Sequence, residues 1–236
     1  MKILVIDPVK SVYFENETKK YFEKFKDSDT KLAVRCLKSG PETIETYVDV
    51  VQASPEILNI IFEEKDNYDA FIINCFADPG LDAAREVSER LVLGVAETTM
   101  HIAAMLVDKF SVLTTDKNSI PWTVNQAHSY GIFDKLAGVS AVDIGVGGLK
   151  LNNSTYTKFL KQAEKELERD SEAIALGCTG MTAFAEKLQK DIKVPVLEPS
   201  KITLKVAEAL IKLGITHSRF IKYSMTGEKK LKLLGK

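Results

Sequence analysis

Short apolar runs alternate with amphipathic stretches along the whole chain. The runs Ile3–Ile6 and Ala173–Leu176 have the continuous apolar character of strands buried on both faces. Similar runs predict the further strands Leu32–Leu37, Ala70–Asn74, Leu93–Ala96, Phe110–Thr114, Val139–Ile144 and Pro195–Glu198. Helical spacing predicts the helices 14–25, Glu42–Phe62 with a break near Pro55, Leu81–Leu91, Thr98–Leu106, Asn118–Tyr130, Ser154–Arg169 and Ser200–Leu213. Strands that alternate with helices in this way predict an α/β protein with parallel sheets.

Two segments of the chain resemble each other. When Ala70 is aligned with Ala173, Cys75 falls on Cys178, and each cysteine follows a short apolar run and precedes an alanine-containing helical stretch. The next strands end in acids, Glu97 and Glu198. An internal repeat on this scale predicts two similar Rossmann-like lobes related by pseudo-two-fold symmetry, with the active site in the cleft between them. We expect the first lobe to comprise residues 1–97 and 200–236, and the second to comprise residues 98–199.

Composition excludes several functional classes. The 236 residues carry a formal net charge of −1 and a pI near 6.4, which is not the basic footprint of a nucleic-acid-binding protein. No apolar run has the length of a membrane span, and the start of the chain predicts a strand rather than a signal peptide. Three cysteines without CxxC or Cys/His spacing predict neither a disulfide framework nor a metal site. We therefore expect a reduced, cytoplasmic homo-oligomer that acts on a small molecule.

No cofactor is expected either. The glycine-rich stretch 145–148 lacks both the GxGxxG spacing and the GK[ST] ending of nucleotide-binding loops. The lysine-rich tail, residues 229–236, is interpreted as a solvated chain end.

The predicted strand ends place two thiols where ligands bind in open α/β sheets. Cys178 lies in a Gly-Cys-Thr-Gly turn before a helical stretch, whose first N–H groups would favour a thiolate. A substrate carbon held between Cys75 and Cys178 would have one thiol on each face. One thiol would remove a proton and the other would return one to the opposite face, which inverts a stereocentre. Backbone N–H groups after each cysteine would stabilise the enolate.

Other residues near these strand ends are candidates for binding the substrate. Thr43 is equally a candidate for capping the following helix, and Glu97 and Glu198 are candidates either for orienting groups or for capping. Cys36, inside a strand and outside the repeat, is interpreted as a packing residue, as is His101 in its apolar helical context. The complete set of candidate substrate contacts is Asp7, Thr43, Phe76, Thr114, Thr115, Thr179 and Gly180.

The segments NCFADPGLDAARE, GVAETTMHIAAML, LGCTGM and PVLEP, with GPETIE upstream, resemble the aspartate/glutamate/hydantoin racemase superfamily. The similarity extends from Gly40 to about Leu213 and is greatest to the hydantoin and allantoin racemases. It implies a two-lobed α/β fold and cofactor-independent racemisation with Cys75 and Cys178 as the acid–base pair. The presence of both cysteines argues against the related arylmalonate decarboxylases, which keep one.

One segment departs from that pattern. The hydantoin branch usually has an Asn-Pro-Asn-type segment after the first strand, whereas this chain has Asp7-Pro8-Val9. An aspartate there would attract an ammonium group, as an amino-acid racemase requires. The favoured hypothesis is a racemase of a 5-substituted hydantoin-like ring. The alternatives are an aspartate/glutamate-type amino-acid racemase, a maleate-isomerase-like enzyme with a nucleophilic cysteine, and a non-catalytic binding protein.

Overall fold

The computed structural model describes residues 1–145 and 152–224, which form eight β-strands and eight α-helices. The strands are β1 (Lys2–Asp7), β2 (Lys31–Cys36), β3 (Ala70–Ile73), β4 (Leu91–Gly94), β5 (Phe110–Thr114), β6 (Leu136–Ala141), β7 (Ala173–Leu176) and β8 (Val196–Leu197). The helices are α1 (Val12–Glu23), α2 (Tyr47–Glu64), α3 (Leu81–Val87), α4 (Val95–Leu106), α5 (Ser119–Ser129), α6 (Asn153–Leu167), α7 (Ala185–Ile192) and α8 (Pro199–Leu213). Most of the glycine-rich stretch and the lysine-rich tail lie outside the described residues.

The strands form two four-stranded sheets in which every pair is parallel. One sheet has the order β2-β1-β3-β4. The other consists of the strands from the second half of the chain, in the corresponding order β6-β5-β7-β8. The α/β fold with parallel sheets predicted from the sequence is therefore confirmed. Because β3 and β7 hold equivalent places, the two cysteine segments of the sequence repeat occupy corresponding positions in their sheets.

The chain divides into two compact units. The first contains residues 1–74, 78–94 and the chain from Thr203, and the second contains Cys75–Ala77 and Val95–Ile202. The chain thus crosses between the units after Asn74, Ala77, Gly94 and Ile202. The expected division into lobes of residues 1–97 with 200–236 and of residues 98–199 stays a prediction.

Each unit has its own apolar core. In the first unit, Leu4 of β1 and Phe71 of β3 are fully buried and pack against the inner face of α2. In the second, Leu113 and Leu176 pack with Phe159 of α6 in the same way. Strands buried on both faces explain why the apolar runs in the sequence are continuous rather than alternating.

The break predicted near Pro55 is wrong, because α2 continues through it. A proline inside a helix loses one backbone hydrogen bond and typically costs about 3 kcal/mol. Here Pro55 is on the exposed side of the helix, while the neighbouring Ala53 and Ile57 are fully buried. The packing of this apolar face keeps the helix intact.

Two expected strands are also displaced along the chain. The fourth strand is Leu91–Gly94 rather than Leu93–Ala96, and the sixth is Leu136–Ala141 rather than Val139–Ile144.

Within the described residues, no helix is both long enough and apolar enough to span a membrane.

Candidate active site

Two thiols hold equivalent positions in the two sheets. Cys75 is the second residue after the end of β3, and Cys178 is the second residue after the end of β7. Both side chains are partly buried, and none of the three cysteines forms a disulfide. Each thiol is therefore at the carboxyl edge of a parallel sheet, where ligands collect in open α/β folds.

A close backbone approach fixes the position of Cys178. The N–H group of Gly177 donates to the Leu113 carbonyl of β5 at 2.7 Å. A Cβ atom on Gly177 would lie 2.9 Å from that same oxygen, so a larger residue would displace the chain just before the thiol. Glycine at this position thus brings Cys178 close to the end of β5.

One backbone N–H group contacts the Cys178 thiol. The residues that follow, Thr179–Phe184, form a 3-10 helix before α7, rather than the α-helix expected directly after the turn. The Gly180 N–H group points at the Cys178 sulfur, 3.4 Å away. A hydrogen bond to sulfur favours the thiolate over the thiol. Thr179 is partly buried and Gly180 is exposed beside it.

The turn that carries Cys75 is longer. Helix α3 does not begin until Leu81, and the chain before it passes through two positive-φ residues, Asp78 at 46° and Gly80 at 69°. Phe76 is buried, and its carbonyl accepts a hydrogen bond of 2.9 Å from Gln126 Nε2. The Cys75 turn is thus held by a side chain far away in the sequence.

A buried carboxyl lies next to the residue that precedes Cys75. Asp7, the last residue of β1, is 5% exposed, and its Oδ1 accepts a 2.7 Å hydrogen bond from Asn74 Nδ2. Its Oδ2 is buried without a hydrogen-bond partner among the described residues. Burial raises the pKa of Asp7 to about 6, against the weaker opposing effects of Asn74 and Thr18. The carboxyl therefore titrates much nearer neutrality than an ordinary aspartate.

The threonines predicted at the second sheet are at its carboxyl edge. Thr114 ends β5 and Thr115 follows it, and both are almost completely buried. Their carbonyls accept hydrogen bonds from Val142 and Ile144. The Thr115 hydroxyl lies 3.3 Å from Asp116 Oδ2. Because β5 and β7 are adjacent, these threonines flank the Cys178 strand end.

Thr43 does not cap α2, since Thr46 does so in a capping box with Asp49. Thr43 lies in the preceding loop and is partly buried. In that loop, the Pro41 carbonyl accepts a 2.8 Å hydrogen bond from the Lys10 N–H group, which places the loop beside the chain after β1. The contact of Thr43 with a substrate stays a prediction.

Cys36 differs from the other two cysteines. It is the last residue of β2 and pairs in register with Asp7. Burial, with the nearby Asp7 carboxyl, raises the pKa of the Cys36 thiol to about 12. At neutral pH such a thiol is neither a base nor a nucleophile.

Other polar residues from the repeat have capping or surface positions. Glu198 accepts hydrogen bonds from the Ser200 and Lys201 N–H groups and caps α8. Glu97 lies in the first turn of α4 rather than at a strand end. The interpretation of His101 as a packing residue is wrong, because its side chain is exposed and its Nδ1 lies 2.8 Å from the Glu97 carbonyl.

Sequence reasoning misses two side chains in this region. Asn74 enters the prediction as the end of a strand and the start of the turn that carries Cys75, without a role of its own, and Gln126 enters it only as part of a helix. Their partners, Asp7 and Phe76, are 67 and 50 residues away. The only available signal is that Asn74 directly precedes Cys75; nothing in the local pattern around Gln126 indicates its contact. Within the described residues, no group of three or more His, Cys, Asp or Glu side chains is arranged to hold a metal ion.

Comparison with known proteins places this arrangement in a family. The family model described as Asp/Glu/Hydantoin racemase matches residues 3–207. A hydantoin racemase from Pseudomonas sp. (strain NS671) is 33% identical over 97% of this chain and 93% of that protein. A hydantoin racemase from Paenarthrobacter aurescens is 32% identical over 97% of this chain and 99% of that protein. The solved structure of an allantoin racemase from Klebsiella pneumoniae is 30% identical and superposes with a TM-score of 0.89, covering 96% of this chain and 94% of the other.

Proposed function

The chain belongs to the Asp/Glu/hydantoin racemase family, and we propose that it inverts the C5 stereocentre of a 5-substituted hydantoin-like ring with Cys75 and Cys178 as its acid–base pair. The observation that carries the proposal is the equivalence of the two thiols. Each is partly buried and lies two residues beyond the third strand of a sheet with the same strand order. The relatives named as hydantoin racemases support the choice of substrate.

The proposed reaction needs one thiolate and one thiol. The thiolate removes the proton from C5, and the pair of electrons moves into the adjacent carbonyl as an enolate. The other thiol then delivers its proton to the opposite face, which leaves the enantiomer and exchanges the roles of the two sulfurs. Donors to the enolate oxygen can come from the backbone, and the Gly180 N–H group already points into the Cys178 site. No cofactor takes part in this scheme.

Asp7 is proposed to influence which substrate binds. Its carboxyl is buried against Asn74, immediately before Cys75 in the chain. A change to asparagine keeps the acceptor for Asn74 but removes the negative charge. We expect Asp7→Asn to lower activity on any ammonium-bearing amino acid relative to activity on hydantoins; an unchanged ratio would remove Asp7 from substrate selection.

The deciding experiment offers each enantiomer of 5-benzylhydantoin to the protein in deuterated buffer near pH 7, where spontaneous racemisation is slow. Chiral chromatography follows inversion, and proton NMR follows loss of the C5–H signal. We expect inversion with one solvent deuterium per turnover, at a rate far above the protein-free control. Allantoin, aspartate, glutamate and maleate are tested in parallel. Inversion of amino acids alone, isomerisation of maleate, or binding without exchange would each replace the hydantoin proposal with the corresponding alternative.

A further inference from the structure

The chain beyond α8 folds back over α3. Helix α8 ends at Leu213, and the φ of 67° at the next residue, Gly214, lets the chain reverse. Residues 215–224, here called the return segment, then carry Arg219 to the end of α3. Its guanidinium donates to the carbonyls of Arg85 at 3.0 Å, Glu86 at 3.1 Å and Ser88. The last carbonyls of a helix have no partner inside it, so Arg219 acts as a C-terminal cap supplied from another part of the chain.

The return segment also holds the start of α3. Tyr223 is 8% exposed, and its hydroxyl donates to Asp82 Oδ1 at 3.0 Å. The same hydroxyl accepts from Arg85 Nη1 at 3.2 Å, and the Arg85 guanidinium lies 5.7 Å from the Tyr223 ring centre. Arg85 itself is 4% exposed, so its hydrogen bond to Tyr223 is a buried, charge-assisted contact, which is stronger than a bond between neutral groups.

A third contact reaches the neighbouring edge strand. His217 Nε2 lies 2.7 Å from the Val92 carbonyl and 3.1 Å from the Val92 nitrogen. The Val92 carbonyl also accepts from Arg85 Nε at 3.1 Å. β4 is the edge of its sheet, and an edge strand presents backbone groups without partners. The return segment therefore covers these groups of β4 and joins the strand to α3.

Residues 78–80, here called the stem, lead from the Cys75 turn into α3. Asp78 is buried at a positive φ, which is costly for a residue other than glycine. It packs against the end of β4 so closely that a Cβ on Gly94 would lie 2.4 Å from its carboxyl carbon. The Gly80 carbonyl accepts from the Ala84 N–H group inside α3 at 2.8 Å. The conformation of the stem thus depends on both elements that the return segment holds.

From these contacts we infer that the return segment positions Cys75, with Arg219 and Tyr223 as positioning residues that act through α3. A helix of seven residues is too short to be stable alone and depends on tertiary contacts. Its end cap and its first-turn contact both come from the return segment. The functional importance of this placement rests on the proposed role of Cys75, but the placement itself is measurable without any substrate.

The test compares native-state alkylation rates of individual cysteines in the full chain. Wild type, Arg219→Ala and Tyr223→Phe are treated with limiting iodoacetamide, and labelled peptides are quantified by mass spectrometry. The matched control is Lys212→Ala, a basic residue of α8 that pairs with Asp27 rather than with α3. We expect the Cys75 rate to rise by about tenfold in Arg219→Ala and by less in Tyr223→Phe, because local opening of a weakly held turn exposes a partly buried thiol. Cys178 should keep its wild-type rate in both, and Lys212→Ala should alter neither.

Two results would overturn the inference. One is a Cys75 rate that stays within about twofold of wild type in a folded variant. The other is an equal rise at Cys75 and Cys178 together with a lower Tm, which would indicate general loosening. If Arg219→Ala fails to fold, Tyr223→Phe decides alone, since it removes only a hydroxyl. A selective Cys75 response in a protein that does not racemise hydantoins would support the positioning role and refute the proposed function.

Discussion

At the scale of single residues, the three cysteines are expected to differ in how much their replacement by serine lowers racemisation. Changing either Cys75 or Cys178 to serine should lower racemisation by about 10²–10⁴-fold or more, because a serine hydroxyl is too weak an acid to serve as the resting base. The remaining cysteine can still remove and return a proton on its own face. Each variant should therefore exchange deuterium into one enantiomer with retention, and the two variants should select opposite enantiomers. NMR of each enantiomer in deuterated buffer measures this.

Cys36→Ser is the matched control. Its thiol has a pKa of about 12 and does not ionise near neutral pH, so activity should stay near that of wild type. The two-face mechanism fails if Cys36→Ser is as damaging as the others, or if both single variants exchange the same enantiomer.

Asp7 links stability to pH. Its pKa is 3.8 ordinarily and about 6 in the folded chain, so the folded state binds the proton more tightly. Its contribution to stability is present below about pH 4 and is lost as the pH rises to 6, to a limit of about 3 kcal/mol. Asp7→Asn should thus raise the free energy of unfolding at pH 7, and this gain should shrink towards pH 4. Urea titrations of both proteins at the two pH values test this, and a gain that does not depend on pH would contradict it.

At the scale of elements, a strand end sets the position of a thiol. Gly177→Ala places a Cβ 2.9 Å from the Leu113 carbonyl, and backbone cannot yield as a flexible side chain does. We expect a loss of about 1–3 kcal/mol in stability, the usual cost of overpacking, together with a fall in racemisation because Cys178 moves.

Gly131→Ala is the comparison for Gly177→Ala. A Cβ added to Gly131 would meet no described atom within 4 Å, but φ is 73°, so the change costs backbone strain alone, about 1 kcal/mol. Both substitutions should therefore lower the Tm of thermal unfolding, whereas activity at saturating substrate should fall only for Gly177→Ala. Equal activity in the two variants would mean that the close approach does not position the thiol.

The same scale shows which elements a sequence can predict. β5 and β7 have the predicted bounds, because both are fully buried and polar residues or a glycine mark their ends. The prediction for β4 is displaced because the apolar run continues through Val95 and Ala96, which belong to α4. β6 is an edge strand that is only partly buried, so its residues lack a sharp apolar pattern. The bounds of a strand can thus be predicted from the sequence when the strand is buried on both faces.

At the scale of the whole molecule, the repeat is the most informative signal. It predicts that Cys75 and Cys178 follow equivalent strands, and both sheets have the same strand order. Contacts over long sequence separations cannot be predicted in this way. The Asp7–Asn74 and Phe76–Gln126 hydrogen bonds, and the return of Arg219 to α3, leave no periodic trace. Periodicity records which face of an element is buried, but not which distant residue covers it.

Independence from metal ions is a prediction about the whole protein. The sequence has no metal-ligand spacing, and the proposed proton transfers require only the two thiols. Prolonged dialysis against EDTA should leave the racemisation rate unchanged in a reducing buffer. Loss of activity that a divalent ion restores would contradict this prediction.

The unequal surroundings of the two equivalent cysteines have a kinetic consequence. Cys75 sits on a turn that reaches α3 only after Gly80, whereas Cys178 leads straight into a 3-10 helix. Two environments made of L-residues cannot be mirror images, so the enantiomers should bind and react with different KM and kcat values. Yet enantiomers have equal free energy in water, and the Haldane relation then requires the same kcat/KM in both directions. A higher kcat for one enantiomer must therefore be accompanied by a KM for that enantiomer that is higher in the same proportion.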